Sequence, residues 1–176
     1  MSNVARAIAA RSSSISITAR FADFARAKGL TKETKDADER KRYREERNKF
    51  VSKAVNKSFK KNFGKNEASL AAWQGLCRTV GLKNMKGLTD VEACRKALED
   101  KYVNIVDLVD AAEARKTCES FTSAAELRTY TRWQEKVYPL GAAKRNPLLK
   151  EFLIRLAPEP PKRRLAGKRA SSRRKP

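Results

Sequence analysis

Histidine is absent from all 176 residues, and with it go the usual general base near neutral pH and the serine or cysteine triads built on it. Cysteine is scarce: Cys77, Cys94 and Cys118 are spaced too widely for a CxxC pair or a zinc pattern. Two of them fall on expected core faces, where a free thiol behaves as a small hydrophobe, and an odd count without a framework fits a reducing compartment. None has a neighbour that would activate it as a nucleophile. Gly81, Gly87 and Gly141 stand alone, so there is no glycine-rich loop to cradle a phosphate. No apolar run approaches the length of a membrane-spanning helix, which leads to the expectation of a soluble protein without membrane contact. Asp107 and Asp110 share a helical face and could in principle hold a metal, but such a pair is expected to face water or to meet basic residues. These absences together lead to the expectation of no catalytic residue, no cofactor and no metal.

Acidic residues are also in short supply, 20 against 41 lysines and arginines, for a net charge of +21. The excess is unevenly placed. Residues 40–65 carry eleven bases against Glu45 and Glu46, and 158–176 carry eight against Glu159, whereas the 92 residues from 66 to 157 are nearly balanced at +3. Two concentrated patches raise the local potential and favour a polyanionic partner.

The apolar order is concentrated between Asn66 and Asp110. Leu70, Trp73, Cys77 and Val80 recur on one helical face, with Asn66 as the expected cap and Gly81 in the left-handed position after the end. Thr89 and Glu92 form a capping box for a second helix running to about Leu98. Val103, Ile105, Val106, Leu108 and Val109 fit a buried helix capped by Asn104 or a buried strand; the alanines at 111, 112 and 114 favour helix.

Upstream, residues 1–20 hold Arg6, Arg11 and Arg20, five serines and no acid, which reads as a disordered basic start or as a mitochondrial transit peptide. Ile17, Phe21 and Phe24 begin a short helix ending near Gly29. From about Lys35 to Phe63 there is no glycine or proline, and one long helix is expected, with an apolar face rotating from Tyr43, Phe50 and Ala54 toward Val51, Val55, Phe59 and Phe63. Its outer face carries Arg40, Lys41, Arg42, Arg44, Arg47, Lys49, Lys53, Lys57, Lys60 and Lys61. Downstream, Ser123 and Glu126 form a capping box for a helix with Leu127, Tyr130, Gln134 and Val137 on its face, stopping before Pro139. Asn146 and Pro147 open a last helix with Leu148, Leu149, Phe152, Leu153 and Leu156 inward. Pro158 to Pro161 begin a segment too poor in apolar residues to fold. Within it Lys162, Arg163, Arg164, Lys168 and Arg169, followed by Arg173, Arg174 and Lys175, have the form of a bipartite nuclear-import signal, which implies an import receptor as partner.

Leu70-Ala-Ala-Trp-Gln-x-Leu-Cys-Arg78, Cys94-Arg-Lys-Ala97 and Val103-Asn-Ile-Val-Asp-Leu-Val-Asp110, followed by Tyr130-Thr131, resemble a family of small fungal proteins over residues 20–157. The resemblance implies a fungal origin and a shared helical fold, and it carries over no catalytic or binding residue. Trp73 to Leu98 is similar, on leucine and glycine spacing alone, to the SAP-type helix pair that binds DNA.

The expectation is therefore an all-α domain of six or seven helices over 15–157, between a disordered basic start at 1–14 and a disordered basic tail at 158–176. Leu70, Trp73, Val80, Leu98, Ile105, Leu108, Val109, Phe152 and Leu156 should be buried. Function is expected to be non-enzymatic binding of DNA or RNA backbones, with little sequence preference, through Arg40, Lys41, Arg42, Arg44, Lys49, Lys53, Lys57, Lys60, Lys61 and the bases of the tail. The alternative is an adaptor that binds a protein partner through 66–157, its basic segments serving nuclear localisation. The nucleus is the expected compartment and the mitochondrion the alternative.

Overall fold

The structure, a computed structural model, describes residues 15–99 and 101–156, with backbone alone for Leu140 and 154–156. The basic tail, residues 1–14 and the Leu156 side chain lie outside the described residues. Within them the chain is an all-α domain of seven α-helices: α1 Ile17–Ala27, α2 Ala37–Phe63, α3 Leu70–Val80, α4 Val91–Leu98, α5 Ile105–Ala114, α6 Ala124–Trp133 and α7 Pro147–Leu156. A 3-10 segment, Leu140–Arg145, precedes α7. Tyr102–Val103 (β1) and Ser120–Phe121 (β2) form a two-residue antiparallel pair that apolar patterning did not reveal, because two residues are too few to show a period.

Helix α2 spans 27 residues, about 40 Å at 1.5 Å per residue, and α1, α3, α5 and the 3-10 segment pack along it. Its rotating apolar face is explained by two successive covers. Near its start Tyr43 and Phe50 meet Phe21 of α1 at ring distances of 5.4 and 5.5 Å, and Phe24 meets Phe50 at 5.2 Å. Farther on, Val51, Val55, Phe59 and Phe63 enter the main core with Trp73, Leu76, Leu98, Val106, Leu108, Leu148, Leu149 and Phe152. Asp36 caps α2 through bonds from the Asp38 and Glu39 amides, and Gly64 ends it at φ 84°.

Trp73 is fully buried, its indole N–H donating to the Glu67 carbonyl at 2.7 Å while Arg95 lies 5.3 Å over the ring. Val80, Leu98, Ile105, Leu108, Val109 and Phe152 are buried as expected, and Leu70 is only half-buried because it opens α3 at the rim of the core. Two caps differ from the sequence reading. Ser69, not Asn66, accepts the Ala72 amide at 3.4 Å; Asn66 instead closes the preceding turn by accepting from Ala68 at 2.9 Å. Asp90, not Thr89, caps α4, accepting from Ala93 at 2.8 Å. The Asn104, Ser123 and Asn146 caps form as expected, accepting from Val106 at 2.9 Å, Glu126 at 3.2 Å and Leu149 at 3.1 Å. Helix α6 ends at Trp133, short of Val137, and buries no residue fully; the chain there reverses through Glu135 at φ 53°.

Candidate functional site

The residues after α6 run alongside α2 in the same direction and form a second wall. The Arg47 guanidinium donates to the Val137 carbonyl at 3.3 Å, the Asn56 amide to Ala142 at 3.1 Å, and Asn146 to Gly64 at 3.0 Å; the Leu148 amide reaches the Lys65 carbonyl at 3.4 Å. Tyr138, buried, adds a 3.5 Å bond from its hydroxyl to the Asn56 carbonyl oxygen. These contacts join residues 82 to 90 apart in sequence and leave an open groove between helix and wall.

That groove has a volume of about 860 Å³ and is lined by Asn48, Lys49, Ser52, Lys53, Asn56, Lys57, Lys60, Lys65, Pro139, Gly141, Ala142, Arg145 and Asn146. Six of these are cations and none is a carboxylate. Lys49 is held by Glu46 at 2.9 Å, an exposed pair of little energetic weight. Lys53, Lys57, Lys60, Lys65 and Arg145 have no carboxylate partner among the described residues. The α7 N-terminus at the groove's end is satisfied internally, by the Asn146 side chain and the Lys65 carbonyl, so the groove offers side-chain charge rather than free backbone amides.

A second hollow, about 490 Å³, adjoins the first through Asn48 and is lined by Lys32, Arg40, Tyr43, Arg44, Arg47, Arg132, Glu135 and Val137. Its single acid, Glu135, is engaged with Lys32 at 2.7 Å. Burial pulls the Arg47 guanidinium below its ordinary pKa, with Glu135 and Tyr43 opposing.

The basic residues singled out in the sequence therefore do not form one stripe. Lys49, Lys53, Lys57 and Lys60 share the groove; Arg40 and Arg44 face the second hollow; Lys41 and Arg42 share a shallow hollow with Asp38, Glu39 and Glu45; Lys61 is exposed but belongs to neither lining. The tail residues Lys162, Arg163, Arg164, Lys168, Arg169, Arg173, Arg174 and Lys175 lie outside the described residues. Sequence reading missed Lys65, Arg145, Arg132 and Lys32 as members of these sites. Only Lys65 is continuous with the basic run; the others come from remote segments that nothing in local pattern connects to α2.

The carboxylates of α5 are spoken for. Lys136 donates to Asp107 at 2.6 Å and to the Tyr130 hydroxyl at 2.7 Å; burial lowers the Lys136 pKa, but these two bonds outweigh it and the net shift is upward. Asp110 accepts the Ile17 amide at 3.1 and 3.2 Å and is pushed up to about 6, chiefly by burial, against that bond and Arg20. Burial pushes the Cys77 and Cys118 thiols up to about 12, which keeps both protonated at neutral pH and poor as nucleophiles.

No family model, curated protein or solved structure matches this chain.

Proposed function

We propose that the protein is a non-enzymatic binder of DNA or RNA backbones, with little sequence preference. The observation that carries this reading is the groove in which Lys53, Lys57, Lys60, Lys65 and Arg145 converge without a carboxylate. Like charges gathered in one hollow repel and cost stability unless a polyanion enters. Lysine and arginine contacts to phosphate position a ligand without identifying bases, so affinity rather than sequence choice follows. The basic tail adds a second contact and, through its clusters at 162–164, 168–169 and 173–175, an address for a nuclear-import receptor; the nucleus is the compartment this reading favours over the mitochondrion.

The adaptor reading draws on the exposure of Trp133 and Val137 in the 66–157 region. It requires a protein partner and no nucleic acid. Titrating the full chain with labelled DNA and RNA at two salt concentrations separates the two. Backbone binding predicts micromolar or tighter affinity near physiological salt that falls by about 0.9 log units per phosphate contact per tenfold salt on duplex DNA. Removal of 162–176 should make that slope shallower. No binding to either polymer contradicts the proposal.

A further inference from the structure

Trp133 leaves 79% of its surface exposed, whereas the other tryptophan, Trp73, is fully buried. Tryptophan is among the most buried residues on average, so a bare indole at the last position of a helix is a departure that packing does not explain. Its surroundings bear on what would cover it. Arg132, the residue before it, and Val137, four residues on and itself 45% exposed, both line the hollow with Arg40, Arg44 and Arg47. That hollow adjoins the lysine groove, with Asn48 in the lining of both.

An exposed indole next in sequence to an arginine that lines a cationic hollow supplies the two elements that hold single strands: the cations follow the backbone while an unpaired base stacks on the ring. A duplex meets the cations equally well but keeps its bases paired and stacked, so it leaves the indole uncovered. An apolar peptide would cover Trp133 and Val137 but would bring no charge to the arginines beside them. We propose that Trp133 is a stacking platform for an unpaired base, its phosphates held by Arg44, Arg47 and Arg132, and that the protein prefers single-stranded to duplex nucleic acid. This rests on the reading of the groove as a phosphate-binding track.

The test uses the full chain, a 12-nucleotide oligothymidine and a duplex of equal length, at fixed salt, with tryptophan emission as one readout and affinity as another. Because Trp73 is buried, a change in emission on adding the strand reports Trp133. Oligothymidine is expected to quench that emission and to bind more tightly than the duplex. W133A should weaken single-strand binding by about 5- to 150-fold, the range for one stacked base, and leave duplex affinity within about twofold. W133F should recover part of the loss. The melting temperature should stay unchanged, since the ring is exposed. If both polymers bind and W133A affects neither, the stacking proposal is overturned while the groove reading stands. If neither polymer binds, both fall. Emission that responds to an acidic peptide of matching charge but not to the oligonucleotide assigns the platform to a protein partner and overturns the proposal.

Discussion

The Asn56 side-chain amide donates to the Ala142 carbonyl across 86 residues of sequence at 3.1 Å, and also to the Ser52 carbonyl at 2.9 Å. It holds the two walls of the groove at their middle. Replacing it tests whether the groove is built or incidental. Asn56→Ala should cost about 1–3 kcal/mol, the range for leaving a partly buried partner unsatisfied, as read by denaturant unfolding. It should also weaken polyanion binding, because Lys53, Lys57 and Arg145 would no longer face one another at fixed separation. Retained affinity in a destabilised variant would show that the wall is structural only.

Asp110 predicts a pH dependence. Its carboxyl titrates near 6 in the fold against an ordinary value of 3.8. A pKa raised by folding means that the protonated form is the better tolerated one, so this group's contribution to stability is fully present below about pH 4 and is lost as pH rises through 6. Asp110→Asn keeps an acceptor for the Ile17 amide without the charge. The stability of D110N relative to the native chain should therefore increase between pH 4 and 6.5 and level off above that, followed by thermal melts across the range. A difference that is flat with pH would contradict the assignment.

Four helices end in the same reversal, in which the residue after one at positive φ bonds back across the last turn. The amides of Leu30, Leu82, Lys116 and Lys136 reach the carbonyls of Ala25, Cys77, Ala111 and Thr131. Two of these turns place glycine, Gly29 and Gly81, at positive φ, and two place Arg115 and Glu135 there, at φ 55° and 53°. Non-glycine residues in that region are strained. Arg115→Gly should stabilise the protein by about 1 kcal/mol in denaturant unfolding. Glu135→Gly should do the same less the exposed Lys32 pair, which contributes little.

Trp73→Ala should cost on the order of 3–5 kcal/mol, because it removes a fully buried ring, its bond to the Glu67 carbonyl and the contact with Arg95. This position was legible from spacing alone, as were the long helix, the Asn104 and Asn146 caps and most of the core. The caps at Ser69 and Asp90 were not, because Asn66, Ser69, Thr89 and Asp90 are all competent cap residues. Which one is used depends on the helical register that buries Trp73 and Cys94, a tertiary choice. The basic character of α2 was equally plain, but its division among a lysine groove, an arginine hollow and an end of mixed charge was not. That division depends on which way a helix rotates over two different covers, α1 and the main core, and on a wall supplied by residues 137–148. Nothing near Trp133 in sequence distinguishes an exposed indole from one docked beside Leu127 and Tyr130, since α6 lies at the edge of the fold and buries no side chain fully.

The sharpest test compares two sets of charge reversals on the same helix. Lys53→Glu, Lys57→Glu and Lys60→Glu together change three exposed groove cations with no acid in their lining; Lys41→Glu and Arg42→Glu change cations whose hollow also holds Asp38, Glu39 and Glu45. The quantity to measure is affinity for a labelled strand as a function of salt, with melting temperature as the folding control. The groove account predicts that the triple variant melts at or above the native temperature, because like-charge repulsion is relieved, yet binds far more weakly and with a shallower salt slope, by roughly 2–3 log units per tenfold salt on a duplex if all three lysines meet phosphates. The double variant should lose much less. Equal losses from the two sets, or a folded triple variant with native affinity and slope, would contradict the claim that the groove is where nucleic acid binds.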